Sequence, residues 1–134
     1  MGLDMFAWAV KFIDGHEEPE VDADIDQYAD HIESFDDDLW YWRKHPNLHG
    51  WMEKLYRDKG GKDEEFNCAN VELTEADLHD LETAINEVGL PYTQGFFFGQ
   101  SSGDNDEKRG DLYFIARARK AIKNGYHVYY SAWY

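Results

Sequence analysis

At 134 residues, 43% of them apolar, the chain has the length and composition of one ordinary domain and can bury roughly two-thirds of its unfolded surface. Its single cysteine, Cys68, excludes an internal disulfide and a cysteine-rich metal site, and no apolar run approaches the roughly 18 residues of a membrane span. The formal net charge of -15 argues against nonspecific attachment to nucleic acid, and with no basic-then-apolar leader the expected address is the cytoplasm.

Residues 3–13 (LDMFAWAVKFI) are apolar with partial alternation, which predicts a first, central strand. Residues 14–38 follow as an acidic connection with twelve acids and no Lys or Arg, so the remaining sixteen acids nearly balance thirteen bases. A short helix is expected over residues 25–32. Within this connection Asp22, Asp24, Asp26, Asp30 and Glu33 have the spacing of a calcium-binding EF-hand loop. Gln27 stands where that loop needs glycine and Pro19 precedes it, so the expectation is a solvated acidic face with no bound metal. The same charge could imitate a row of phosphates and occupy a basic groove on a partner, with Asp36, Asp37 and Asp38 as the contact residues.

A dense aromatic stretch, Leu39 with Trp40, Tyr41 and Trp42, then runs into Arg43, Lys44 and His45. Pro46 restricts His45 and suits a first helical position, and Leu48, Trp51, Met52, Leu55 and Tyr56 mark an amphipathic helix that ends at Gly60 and Gly61. Residues 66–73 read as a strand. Thr74 with Asp77 is a variant capping box, with Leu73 and Leu78 as a hydrophobic staple, and Leu78, Leu81, Ile85 and Val88 form one helical stripe closed by Gly89 and Pro91. Residues 95–99 (GFFFG) predict a short aromatic strand, and 100–109 a polar loop. Asp111 is a candidate cap for a helix over 112–123, which Asn124 and Gly125 stop before a last strand over 127–134. The expected fold is a single α+β domain with a mixed sheet of about four strands and three helices mainly on one face.

Arg43 and Lys44 beside Tyr41 and Trp42 suggest a site for a small anionic ligand with a planar ring. Arginine offers a two-pronged fork to an anion, and the aromatic rings offer a stacking face. His49 is a candidate helper, and Tyr129 and Trp133 on the last strand are candidate stacking partners. That strand is aromatic on both faces, so one face can line a groove or a contact between subunits. His45 and His49 stand four apart, but Pro46 breaks the helix that a zinc-protease pair would need. The 99–103 loop (GQSSG) lacks the ending of a phosphate-binding P-loop. No catalytic residues, metal ligands or cofactor follow from spacing alone.

The opening Met1–Gly2–Leu3–Asp4–Met5, the Tyr41–Trp42–Arg43–Lys44 element, residues 95–99 and the terminal YYSAWY resemble a family of small uncharacterised phage, prophage and bacterial proteins, some of them labelled phosphoglycerate kinase. The resemblance spans nearly the whole chain and implies a phage setting and a host-directed, anti-defence role. The kinase label implies two domains and a nucleotide motif, which this chain lacks. The resulting expectation is a non-catalytic accessory protein that binds a host component, in its most specific form a nucleotide-like anion. The alternatives are an acidic, nucleic-acid-mimicking inhibitor of a host protein, or a small enzyme acting on a phosphorylated substrate.

Overall fold

The structure is a computed structural model that describes residues 3–12, 19–23, 32–34, 39–91, 93, 101 and 104–134. Among them the α+β class expected from the sequence is realised by five strands and three helices. Strand β1 (Asp4–Phe12) is central, as its apolar run predicts. One edge pairs with β5 (His127–Trp133) from Asp4↔Trp133 to Val10↔His127. Its other edge is shared by β3 (Trp40–Arg43) at the start and β2 (Ile32–Ser34) at the end. Strand β4 (Asn70–Leu73) lies outside β5. Every described ladder is antiparallel where a mixed sheet was expected.

Three strands depart from the sequence reading, the short β2 among them, which lies within the expected acidic connection. Strand β3 escaped it because aromatic residues at three successive positions hide the alternation that marks a strand. Only the second half of the expected 66–73 strand forms, since Cys68 sits at φ 63, outside the extended region. The expected 25–32 helix falls on residues outside those described, except that Ile32 begins β2. The 95–99 strand also lies outside them.

Helix α1 (Pro46–Asp58) starts at the proline. Helix α2 (Glu75–Thr83) has the reciprocal capping box: the Thr74 side chain accepts the Asp77 N–H at 3.3 Å, and Asp77 Oδ2 accepts the Thr74 N–H at 2.9 Å. It runs into a wider π turn, Ala84–Val88, ended by Gly89 at φ 91. Helix α3 (Asn105–Lys123) begins seven residues before the expected start, capped by Asp104 rather than Asp111. Its first turns are polar and include Gly110, so no apolar stripe announces them.

The alternation of β1 assigns the two faces. Met5, Ala7 and Ala9 point to the helices with Trp42, Val71, Leu73, Val128, Tyr130 and Ala132. Leu48, Met52 and Tyr56 of α1, Leu78 and Leu81 of α2, and Phe114, Ile115, Ala118 and Ala121 of α3 close this core. The opposite face carries a smaller cluster of Val10, Ala23 and Tyr129 with Trp8 and Phe12. Part of the acidic connection is built into the sheet: Val21 bridges Val71, and Asn70 both accepts from the Ala23 N–H and donates to its carbonyl, at 2.8 and 2.7 Å.

Thr74→Ala removes the cap of α2 and should lower the unfolding free energy by about 1 kcal/mol, read from urea denaturation, with the fold retained.

Candidate functional site

The sheet ladders create a juxtaposition across three strands. Arg43, Asp4 and Trp133 occupy one rung, and Tyr41, Phe6 and Ser131 the next on the same face. Rungs two residues apart are separated by about 7 Å, and three neighbouring strands span about 10 Å. That footprint suits one bicyclic ring. Trp133 is 64% exposed and Tyr41 49%, the Arg43 side chain is open to solvent, and Phe6 packs against Tyr41 at 5.3 Å between ring centres. The Tyr41 hydroxyl donates to Asp4 Oδ1 at 2.6 Å, and Arg43 Nε lies 3.8 Å from the same oxygen. This hydrogen bond to Asp4, followed by burial, pushes the Tyr41 phenol up from its ordinary value and keeps it a donor. Lys44 follows at φ 55, exposed, with its N–H bonded to the Leu3 carbonyl.

Tyr41, Arg43 and Trp133 are therefore brought together with Lys44 beside them, whereas Trp42, His49 and Tyr129 are not. Tyr129 lies on the same face but is fully buried, its ring stacked on Trp8 at 6.0 Å. Trp42 faces the helices, and His49 points from α1 into the core against the sheet. The His49 ring stacks on Phe66 at 5.0 Å, and its Nδ1 meets the Tyr130 hydroxyl at 2.7 Å. Burial pushes its imidazole from 6.5 down to about 4. Asp36, Asp37 and Asp38 lie outside the described residues. Asp4 and Phe6 were missed as site residues because alternation shows which face they share but not which strands flank them.

A second constellation lies on the helical face. Asp111 Oδ1 accepts from Trp42 Nε1 at 3.0 Å, and Asp111 Oδ2 is 2.8 Å from His45 Nε2. His45 Nδ1 is 2.6 Å from Ser101 Oγ, which also accepts the Asn47 N–H at 3.1 Å. The acceptor-only carboxylate places a proton on Nε2, which donates to Asp111, while Nδ1 meets the serine hydroxyl and lies 3.6 Å from Glu107 Oε2. Ser101 thus supplies the cap to α1 that His45 does not. A Ser–His–Asp chain is present, yet its serine lone pair is engaged by the helix and His45 is 3% exposed. The arrangement ties β3, α1 and α3 together beside a cleft of about 260 Å³ lined by Asn47, Ile85, Leu90, Glu107 and Lys108. Sequence offered no signal for a contact between residues 66 positions apart.

Among the described residues no three His, Cys, Asp or Glu side chains are grouped to hold a metal ion, and no helix is long and apolar enough to cross a membrane. Asp22 is engaged by the Tyr56 hydroxyl at 2.8 Å, whereas Asp24, Asp26 and Asp30 of the EF-hand-like spacing lie outside the described residues. No protein-family model, curated protein or solved structure matches the chain significantly.

Two outcomes test the interior. Asp111→Ala strands the Trp42 and His45 donors and should cost about 3 kcal/mol or more in urea denaturation. His49 is held neutral in the folded state, so only the unfolded state takes up its proton as pH falls below 6.5. Its stabilising contribution is full above that pH and declines towards pH 4, by about 3 kcal/mol in all. Denaturation at pH 7 and 4.5 should show this slope, reduced in His49→Gln.

Proposed function

We propose that the outer face of the sheet is a stacking platform that binds and retains a planar, anionic, nucleotide-like small molecule without transforming it. In the phage setting that the sequence resemblance implies, withholding such a molecule would counteract a host system that depends on it. The observation that carries this reading is the register of β1: it sets Arg43 and Trp133 in one rung around Asp4, with Tyr41 and Phe6 in the next. The helices cover the other face, so these side chains are not consumed by the main core.

Each group has a role that follows from its chemistry. Trp133 supplies the broad stacking surface, and Tyr41 with Phe6 borders it. Arg43 and Lys44 meet the phosphate, the first through its planar fork and the second as a point charge. The -15 net charge favours a small ligand over a polyanion, because a single phosphate responds to the local cations while a long phosphate chain also meets the acidic surroundings.

Calorimetric titration with nucleoside monophosphates tests the platform. Trp133→Ala should weaken binding about tenfold, as expected for the loss of one base–aromatic stack. Arg43→Ala should weaken it similarly. Both exposed changes should alter unfolding stability by less than about 1 kcal/mol. A large loss of stability with unchanged affinity would assign both side chains to packing.

A further inference from the structure

Asp4 is the one acid in the rung that also holds Arg43 and Trp133. Its described contacts fall on a single oxygen: the Tyr41 hydroxyl and Arg43 Nε both address Oδ1. Its side chain is 33% exposed, and Oδ2 has no partner among the described residues. An ionised carboxylate accepts about four hydrogen bonds, so Oδ2 and a second position on Oδ1 are available to a ligand.

We propose that Asp4 makes the platform selective for a guanine base, the carboxylate accepting its adjacent ring N–H and amino group while the ring stacks on Trp133. This rests on the platform reading and deepens it by naming the ligand class. In an antiparallel pair the side chains of opposite residues rise from the sheet about 4.5–5.5 Å apart. A ring lying on Trp133 therefore brings its edge to Asp4. Guanine offers two parallel donors on one edge, the geometry a carboxylate accepts in two-pronged fashion. Adenine instead turns a ring-nitrogen lone pair towards the acid beside its amino group, and that juxtaposition is repulsive. Hypoxanthine keeps the ring N–H and lacks the amino group, so it is intermediate. Tyr41 and Arg43 hold the carboxylate in place before the ligand arrives, so little ordering remains to be done on binding. Arg43 is then shared between Asp4 and the phosphate.

Calorimetry with GMP, IMP and AMP on the wild-type chain and on Asp4→Asn tests this. The carboxamide keeps an oxygen for the Tyr41 hydroxyl and replaces the other acceptor with a donor, so a melting curve close to wild type is expected. The wild type should bind GMP about tenfold more tightly than AMP, with IMP between them, the scale of one charged hydrogen-bond pair. Asp4→Asn should bring GMP to the level of AMP and leave AMP within about twofold. Equal wild-type affinities for GMP and AMP, or equal weakening of both by Asp4→Asn, would overturn the role of Asp4 while leaving the platform standing. If none of the three binds, the platform reading itself fails and the Asp4 assignment falls with it. Tighter binding of a guanine-containing oligonucleotide than of GMP would overturn the free nucleotide as the ligand.

Discussion

Strand β1 is hydrogen-bonded along both edges, and its register constrains everything built around it. Met5, Ala7 and Ala9 must meet the helices while Asp4, Phe6 and Trp8 point the other way. A slip of one residue would carry Asp4 into the helical core and Met5 into water. The small Ala7 and Ala9 let the helical layer close over the middle of the sheet, and the bulky neighbours Trp42 and Tyr130 fill the space beside them. The core and the proposed ligand platform are two faces of the same constraint, and neither can be re-registered without losing the other.

The core is stabilised by apolar contact but made specific by a few polar groups. Asp111 is buried yet fully engaged by Trp42 and His45, and His49 is buried with the Tyr130 hydroxyl as its partner. Such groups are costly in a low-dielectric interior unless their partners are in place. They therefore penalise arrangements in which β3, α1 and α3 meet differently. His45 reads in isolation as a candidate for chemistry, but its two nitrogens are committed to Asp111 and Ser101. Burial likewise turns Trp42 and His49 from ligand candidates into framework.

The charge of the chain acquires a different meaning once the fold is known. The acidic connection is not merely solvated, since residues 20–23 cover the β4 edge: the Asp22 N–H bonds to the Asn70 carbonyl and the Glu72 N–H to the Glu20 carbonyl. Covering an edge protects a row of backbone groups that would otherwise pair with another chain. On the outer face Asp4 lies between Arg43 and Trp133, so the cation that suggested anion binding is already partly balanced. In the proposed platform an acid and a base at the rim would let a ring edge be recognised as well as a phosphate.

Local chemistry was legible where the signal is local. Pro46 starting α1, Thr74 and Asp77 capping α2, and the apolar run of β1 each form a unit within a few residues, and each is realised. The start of α3 was not legible, because its first turns face solvent and carry no apolar stripe. Nor was β3, where aromatic side chains point to both faces. The sequence by itself determined the α+β class, the central strand and the aromatic-cationic character of residues 39–45. Only the tertiary structure decided that Tyr41 and Arg43 would face outward beside Asp4 and Trp133 while Trp42 turned inward to Asp111. The reason is that alternation assigns faces within a strand, whereas proximity across strands depends on register, fixed by pairing between residues as far apart as Asp4 and Trp133.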